Sequence, residues 1–488
     1  MTLLAGAAQV EITPPFPVDL LGYVRRPLAA RHAYEPLMVT ACVFRDDESG
    51  ATVVVIAADV VGLTTPMADR IRGRVGELVG CDAAAVLLNS SHSHAAPWPG
   101  ATIKLGGEFD GWTETELRYW DSIPDRYASA ALVAVGRLAP ARVSGGVGQA
   151  PGLAVNRRER TADGRTILGW NRDGVRDDSV VAIRVDGMEG PPRYVDGIAT
   201  LVSFACHPVV IGPDFPGAGP DFVGPLRSQL TNLLRPGAVT VFLQGAAGDA
   251  LPLEAFRDDE GALVAAEVFG ERIALEAAHA VADSDPWTTE IDRSDWGSVT
   301  QISLYRRRLA AVQLPQVLRS VRRIVSLPLL ELPPAADLER ELAERRSDLA
   351  TRAARGESRI TMNPIRYHIS WLETMLGQET AGGRAAALDG EIWAARIGDC
   401  AIVGAPGEIF GAIGTAVRRR SPAEVTIFAG YSNGVLGYVA TADEYPFGGY
   451  EPSVSHRGYG QPAPFSPEVA GIIELTAVEL LDELFDDG

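Results

Sequence analysis

Residues 51–97 read ATVVVIAADVVGLTTPMADRIRGRVGELVGCDAAAVLLNSSHSHAAP, and this stretch decides the fold class. Residues 51–59 form an apolar run that ends in a carboxylate, which predicts a buried strand. Residues 66–79 have the spacing of an amphipathic helix, and residues 84–89 predict a second buried strand that enters the polar loop directly. The order strand, helix, strand, polar loop is typical of α/β proteins, whose ligands gather where loops leave the carboxyl ends of strands.

The same pattern recurs three times further along the chain. Apolar runs open into polar or glycine-rich turns at 198–208 (IATLVSFACHP), 238–249 (AVTVFLQGAAGD) and 400–410 (CAIVGAPGEIF). Between residues 304 and 378 the chain is rich in Arg, Leu and Glu at helical spacing, which predicts a helical insertion packed on the sheets. We therefore predict an α/β fold in which one large domain, residues 1–488, contains mixed β-sheets flanked by helices.

The composition limits the classes of partner. The 488 residues carry a formal net charge of −19, which opposes nucleic acid or an anionic membrane as the main partner because both attract basic surfaces. The four cysteines are scattered, so neither a thiolate zinc site nor a disulfide framework is predicted. With no signal peptide and no apolar stretch long enough to span a bilayer, we expect a cytoplasmic protein without a stable membrane anchor. The sequence leaves a homo-oligomer open.

Three polar segments that follow predicted strands carry side chains able to bind a metal. His92 and His94 lie one residue apart in a loop, His207 ends the run at 198–208, and Glu408 lies in the turn at 405–408. Each segment also has an ordinary interpretation when it is considered alone. His92 and His94 could simply belong to a polar loop, His207 could be a core histidine, and Glu408 could lie at a helix N-terminus. Together, two histidines and one glutamate form the ligand set of many hydrolytic zinc sites, which leave a further position for water or substrate.

Seven stretches of the chain resemble one enzyme family and occur in the family's order. They are AGAAQVEITPP (5–15), NSSHSHAAP (89–97), NRR (156–158), FACHPVVIGPDFPGAGPDFVG (204–224), FLQGAAGD (242–249), APGEIF (405–410) and GYVATADEYPFGGYE (437–451). On these stretches the chain resembles the catalytic domain of the neutral/alkaline non-lysosomal ceramidase family. The resemblance covers almost the entire chain, and the SHSHAAP, CHP and PGE motifs together are highly specific. It implies a zinc-dependent hydrolase that acts on a carbon–nitrogen amide bond.

The resemblance also implies which residues bind zinc. Transferred residue by residue, it assigns His92, His207 and Glu408 as ligands and Tyr438 as a further ligand. His92, His207 and Glu408 are also supported by the argument given above, that two histidines and a glutamate form a common zinc ligand set. Tyr438 rests on the resemblance, since without it a tyrosine at this position is typical of an ordinary strand aromatic.

Three more residues acquire catalytic roles by the same resemblance. His94 matches the family's second active-site histidine, Arg157 its site-lining arginine, and Tyr450 the tyrosine beside the reacting carbonyl. Arg157 and Tyr450 offer donors where negative charge develops on the carbonyl oxygen, and His94 could move a proton to the leaving group.

Three aspartates are candidates for orienting the imidazoles of the metal ligands. Asp249, Asp221 and Asp59 each lie at a strand end or in a family-like loop, where a carboxylate could accept a hydrogen bond from a ligand histidine. The alternative is that each of them caps a turn.

One departure from the family bears on mechanism. Ceramidases have a G-D-V-S-P-like stretch with an active-site serine, whereas residues 248–252 here read GDALP and place Leu251 at that position. Leucine cannot act as a nucleophile, so we expect attack by water activated on zinc. We also expect no C-terminal β-sandwich like that of better-known ceramidases, and a small soluble amide as substrate instead of ceramide.

Other functions remain open on the sequence. A zinc-dependent esterase or lactonase would use the same metal chemistry, and a non-catalytic zinc-containing binding protein would keep the ligands without turnover. A nucleotide site at GAAGD (245–249) is disfavoured because neither G-x-x-x-x-G-K-[ST] nor G-x-G-x-x-G is nearby.

Overall fold

The structure is a computed structural model of the chain. It describes residues 2–486 apart from residues 25, 27–28, 101–111, 189–196, 235–236, 260, 284–286, 296–302 and 312–316. No described helix has both the length and the apolar character needed to cross a membrane.

The strands, numbered in chain order, vary from two to eleven residues in length. They are β1 Leu3–Glu11, β2 His32–Ala33, β3 Met38–Asp46, β4 Thr52–Ala58, β5 Val86–Ser90, β6 Ala139–Gln149, β7 Ala154–Arg160, β8 Thr166–Asn171, β9 Ser179–Gly187, β10 Gly197–Phe204, β11 Gly217–Ala218, β12 Val239–Gln244, β13 Ala250–Pro252, β14 Trp287–Asp295, β15 Ser303–Ala311, β16 Leu318–Pro328, β17 Ala387–Ile397, β18 Cys400–Gly404, β19 Glu408–Ile409, β20 Val425–Ala429 and β21 Tyr438–Val439.

The helices connect these strands and cover the sheets. They are α1 Thr65–Val79, α2 Glu114–Val135, α3 Val223–Leu234, α4 Ala262–Asp283, α5 Ala335–Ala354, α6 Arg359–Thr380, α7 Gly411–Arg420, α8 Tyr450–Ser453 and α9 Val469–Phe485, with short 3₁₀ turns at Ala83–Ala85, Ala442–Phe447 and Ser455–Tyr459.

Two mixed sheets packed face to face form the centre of the molecule. The larger has the strand order β12-β10-β9-β6-β1-β3-β4-β5, and the smaller has the order β16-β17-β18-β20. Their facing sides share one apolar core, to which the larger sheet contributes residues such as Val55 and Leu201 and the smaller sheet Ile402 and Ile427. Strands buried on both faces read as continuous apolar runs, which is why the run at 51–59 forms a strand.

Helices cover the outer faces of both sheets. Helices α1 and α2 pack on the half of the large sheet that contains β3 to β5, and α3 and α4 pack on the half that contains β9, β10 and β12. Helices α7 and α9 cover the small sheet. The predicted α/β class with mixed sheets flanked by helices is confirmed.

The boundary predicted for the helical insertion is wrong at its N-terminal end. Within 304–378, β15 continues to Ala311 and β16 spans Leu318–Pro328, so helices begin only at Ala335. Residues 318–328 alternate between covered and exposed positions and pair along their whole length with β17, as a strand requires. The helical part is the pair α5 and α6, held together by a small core that includes Leu342, Trp371 and Met375.

Parallel strand pairs bring several polar loops to one edge of the molecule. Strand β4 pairs in parallel with β5, β10 with β12, and β18 with β20. Parallel neighbours end at the same edge, so each pair brings the loops after its two strands together. Hydrogen bonds from Gln244 to Ser91 O and Cys206 O, and from Asn89 to Gly430 O, join the loops of the different pairs.

Candidate metal centre and active site

Three histidines and a glutamate meet at this edge. The ligand atoms of His92, His94 and His207 all lie within 4.8 Å of one another, and the three could hold a metal ion. Glu408 Oε2 lies 3.0 Å from His207 Nε2 and 3.3 Å from His92 Nε2, while the Nε2 atoms of His92 and His94 are 3.2 Å apart. The structure thus brings together residues from the loops after β5, β10 and β18, as the sequence predicted.

The loop backbone directs His92 into the centre through an uncommon conformation. His92 has φ of 66°, in the left-handed region, and its amide donates to Val60 O at 3.0 Å. Tyr431, in the loop after β20, is also left-handed at φ 52°, and its ring centroid lies 4.4 Å from that of His92. A non-glycine residue pays roughly 1–2 kcal/mol for this conformation, so the surrounding contacts must hold it in place.

Backbone carbonyls fix the orientation of two imidazoles. His92 Nδ1 lies 2.6 Å from Val61 O, and His207 Nδ1 lies 2.7 Å from Ala247 O and 3.1 Å from Ala250 O. A carbonyl can only accept, so each Nδ1 carries the proton and each Nε2 presents a lone pair to the centre. Burial and the nearby Arg157 guanidinium lower the pKa of His207 to about 4, which keeps that ring in the neutral form that binds metals.

The donor set fits a metal cation. Glu408 Oε2 is an acceptor and lies against two nitrogens whose lone pairs point at the same space. The two histidines and the glutamate are almost fully buried, so water cannot relieve the repulsion. A cation or a proton between the acceptors would relieve this repulsion, and imidazole nitrogen with carboxylate oxygen is a common zinc ligand set.

Two tyrosines that sequence reasoning missed hold the carboxylate of Glu408. Tyr431 donates its hydroxyl to Glu408 Oε2 at 3.2 Å, and Tyr459 donates to Glu408 Oε1. Tyr431 follows β20 in the same strand-then-polar pattern that flagged the other loops, so the sequence did contain a signal for it. Tyr459 lies in a 3₁₀ turn, and no pattern around it points to the site.

Tyr438 lies beside the centre, in the short strand β21 that pairs with the strand containing Glu408. Its ring is buried, lies 5.0 Å from the Arg157 guanidinium carbon, and is 5.5 Å from the Tyr450 ring between centroids. These contacts place Tyr438 in the wall of the site. Its role as a metal ligand stays a prediction.

Arg157 is anchored by a buried ionic network. Its Nε donates to Glu451 Oε1 at 2.7 Å, and Arg158 Nη1 donates to the other oxygen of Glu451 at 2.5 Å. Arg158 also contacts Glu444 at 2.6 Å. Burial would raise the pKa of the Glu451 carboxyl, but the two guanidiniums beside it lower it, so the carboxylate stays charged. This network points Arg157 Nη1 at His207 Nε2, 3.0 Å away.

The prediction that aspartates orient the ligand imidazoles is wrong, because backbone carbonyls do so. Asp249 instead accepts from the Gly411 amide at 2.8 Å, at the start of α7, and from Asn156 Nδ2 at 2.9 Å. Asp59 pairs with Arg227 at 2.7 Å. Asp221 accepts from two backbone amides near its own loop. Asp249 and Asp221 thus accept from backbone amides in turns, which is the alternative stated for them, whereas Asp59 forms an ion pair with a helix side chain.

Gln244, at the end of β12, ties together the two loops that carry the ligand histidines. Its Nε2 donates to the carbonyls of Ser91 and Cys206, both at 2.9 Å, and these residues directly precede His92 and His207. Its side chain is fully buried. One amide group therefore sets the spacing between the two histidine loops.

A cavity of about 380 Å³ opens above the centre. His92, His94 and Glu408 lie at its base, Tyr438 and Tyr450 are on its wall, and further wall residues come from α6 and from the 3₁₀ turn at 455–459. Burial and the nearby Glu408 carboxylate raise the pKa of the Tyr450 phenol, although 38% of the residue is exposed, so the hydroxyl keeps its proton. The described helical insertion therefore contributes to the walls of the cavity.

Known structures show the same architecture. The neutral ceramidase from Pseudomonas aeruginosa superimposes with a TM-score of 0.66 and 16% identity, over 99% of this chain and 74% of that chain. A ceramidase complexed with C2 gives a TM-score of 0.68 and 17% identity, over 99% of this chain and 75% of that chain. This chain has the neutral ceramidase fold. No protein-family model matches it, and no curated protein does.

The neutral ceramidase fold confirms the architecture implied by the sequence motifs. Within it, Leu251 packs in a small apolar cluster with Val155 and Val209 and is 3% exposed. The residue at the serine-like position thus belongs to the core between β7 and β13. Leu251 therefore supplies no hydroxyl, and the polar side chains described around the centre include the histidines, Glu408, Arg157 and the tyrosines.

Proposed function

We propose that the protein is a zinc-dependent hydrolase that cleaves the amide bond of a small N-acyl amine. The observation that supports it most is the buried contact between Glu408 Oε2 and two lone-pair nitrogens, which a bound cation would stabilise. The likeness to a neutral ceramidase and to a ceramidase complexed with C2 supports an amide as the target. Tyr438 is proposed as the further ligand, by the sequence resemblance and its place in the wall.

In this proposal, the metal supplies one chemical function and the side chains supply the others. Zinc bound by His92, His207 and Glu408 would act as a Lewis acid that activates water and polarises the carbonyl. Arg157, held by Glu451, donates to the oxygen that gains negative charge, and so does the protonated phenol of Tyr450. His94 lies beside the ligand nitrogens and passes a proton to the leaving amine.

The size of the cavity favours a small substrate. A volume of about 380 Å³ lies at the lower end of the range of roughly 300–1,000 Å³ typical of small-molecule sites. We therefore propose a small soluble amide in preference to ceramide. A cytoplasmic location and the absence of a nucleic-acid partner or membrane anchor stay predictions from the sequence, and self-association stays open.

Two alternatives use the same residues. An esterase or lactonase would need only a different leaving group, because Arg157 and Tyr450 would stabilise the same charge. A non-catalytic zinc-containing binding protein is favoured by Leu251, which removes one polar group from the site, and opposed by the presence of His94 and both oxyanion donors.

Metal analysis followed by substrate screening tests the proposal. Purified protein is measured for zinc by mass spectrometry, and it is then assayed with matched amides, esters and lactones of one short acyl group. We expect one zinc per chain and fastest turnover of the amide. Faster turnover of the ester or lactone would establish the first alternative, and stoichiometric zinc without any turnover would establish the second.

A further inference from the structure

The cavity has a second polar region away from the three histidines. Helix α6 contributes Tyr367 and His368 to its wall, and the 3₁₀ turn Ser455–Tyr459 contributes Arg457. The same turn reaches the centre through Tyr459, which bonds to Glu408. Arg457 therefore lines the same cavity as the proposed reacting centre, two residues away from a residue that contacts it.

Positive charge exceeds negative charge at this wall. One carboxylate oxygen, Glu341 Oε1, lies 3.1 Å from Arg457 Nη1, 3.6 Å from Arg345 Nη2 and 3.3 Å from His368 Nε2. Burial and the Arg457 guanidinium lower the pKa of His368 to about 4, so that imidazole is neutral near pH 7. Among the described groups that meet here, two guanidiniums share a single carboxylate, which leaves one positive charge without a counter-charge.

Arg457 is also held in place with unused donor capacity. Its guanidinium carbon lies 4.7 Å from the centroid of the Trp371 ring, and Trp371 is fixed in turn by a 2.8 Å bond from its indole nitrogen to Gln461 O. Arg457 Nε is buried and has no hydrogen-bond partner among the described residues. A stacked guanidinium with an unpaired donor is preorganised for an anionic group, because its donors are held in a rigid fork.

The cavity lining also includes apolar and aromatic side chains. Trp98 and Tyr459 pack against each other with ring centroids 5.7 Å apart, and Val24, Val61 and Val454 also line the cavity. These side chains favour a ligand that carries apolar surface in addition to its polar groups.

We propose that Arg457 recognises an anionic oxygen group on the substrate, so that the enzyme acts on amides that carry a carboxylate or a phosphate. This inference rests on the proposed amide hydrolase function and adds the class of substrate. Arg457 is a specificity-determining residue in this scheme, because it binds a part of the substrate that does not react.

Matched substrates test the inference. The leaving-group series contains N-benzoylglycine, N-benzoyl-β-alanine and N-benzoyl-4-aminobutyrate, each with a neutral N-alkylbenzamide of equal length. The acyl series contains the mono-N-ethylamides of succinate, glutarate and adipate with neutral counterparts. N-benzoylphosphoethanolamine represents phosphate. Each is assayed with zinc-loaded protein, with Arg457→Met, with the charge-preserving Arg457→Lys, and with the control Arg346→Met.

The control lies on α5, the helix that carries Glu341 and Arg345, and does not line the cavity. Arg346, on α5, bonds to Glu373 at 2.8 Å with most of its side chain exposed. Its replacement changes the net charge by the same amount as Arg457→Met, so any difference between the two variants reflects position. Zinc content and thermal midpoint are measured for every variant to exclude unfolding.

The expected result is a preference of at least tenfold in kcat/KM for one anionic substrate over its neutral counterpart. Arg457→Met should remove this preference through KM, Arg457→Lys should retain part of it, and Arg346→Met should leave it unchanged. If the phosphate compound is preferred and Arg457→Met removes this preference, the inference is supported and phosphate is the anionic group that Arg457 recognises. Equal or better turnover of the neutral amides would overturn it and leave the proposed function intact, as would a preference that survives in Arg457→Met.

Direct binding separates failure of the inference from failure of the proposed function. If no amide is hydrolysed, titration calorimetry of the zinc-loaded protein with the same anionic compounds measures recognition alone. Binding of an anionic compound that is lost in Arg457→Met would support the anion site even though the proposed amide hydrolysis had failed. No difference in binding between anionic and neutral compounds would overturn it.

Discussion

Replacing Gln244 with leucine should destabilise the protein and weaken its metal centre together. Leucine fills a similar volume but cannot donate, so the carbonyls of Ser91 and Cys206 lose their bonds at 2.9 Å in a buried region. Each unsatisfied buried group costs about 1–3 kcal/mol, so two carbonyls amount to roughly 2–6 kcal/mol. Because these carbonyls precede His92 and His207, we expect zinc affinity to fall roughly 10–100-fold, as for residues that position ligands.

Chemical denaturation and a competing chelator measure the two effects. The midpoint of urea unfolding of Gln244→Leu should be lower than that of the wild type, and zinc should transfer to the chelator at a lower chelator concentration. The control is Gln149→Leu, since Gln149 is exposed and bonds only to Ser179 at 3.3 Å among the described residues. An unchanged midpoint with zinc affinity within twofold of wild type would show that Gln244 does not set the spacing of the histidine loops.

Three further predictions follow from the site and its wall. His207→Ala should abolish both zinc binding and activity, measured by metal analysis and turnover, and full zinc occupancy in this variant would contradict the ligand set. Tyr450→Phe should keep zinc and lower kcat about 10²–10³-fold with little change in KM, because one oxyanion donor is removed; an unchanged kcat would exclude that role. His368 is neutral in the folded protein, with its pKa lowered to about 4 by burial and Arg457, whereas an unfolded histidine titrates near pH 6.5. The stability it contributes is therefore complete above about pH 6.5 and is lost as pH falls toward 4. The thermal midpoint of His368→Gln should fall less than that of the wild type over this range, and parallel curves would refute the assignment.

The sequence predicted the site best where a polar residue closely follows an apolar strand. His92, His207 and Glu408 were predicted to form one metal site because each follows an apolar strand, and the structure brings them within hydrogen-bond distances. Tyr431 obeys the same rule and could have been found. Tyr459 could not, since its position depends on how a 3₁₀ turn near the C-terminus packs against the small sheet.

Two predictions failed for different physical reasons. Aspartates were expected to orient the imidazoles, but a backbone carbonyl is as good an acceptor and lies closer, so Asp249 was free to cap α7. The helical insertion was placed too early because arginines in residues 318–328 mask an alternating pattern, and pairing with β17 decides in favour of a strand. Local charge patterns do not show which partner strand is available.

The residues of the centre come from distant parts of the chain, and this affects the stage of folding at which the metal can bind. A fragment of the chain that ends before β18 contains His92 and His207 but no Glu408, and the segment from β18 onward holds the glutamate without the histidines. Contacts between such distant parts of a chain form late and slowly, because a long loop must close first. Tight zinc uptake would therefore begin only once the two sheets have docked. During refolding, the rate of metal capture would report the final assembly of the core and not the formation of any single strand or helix.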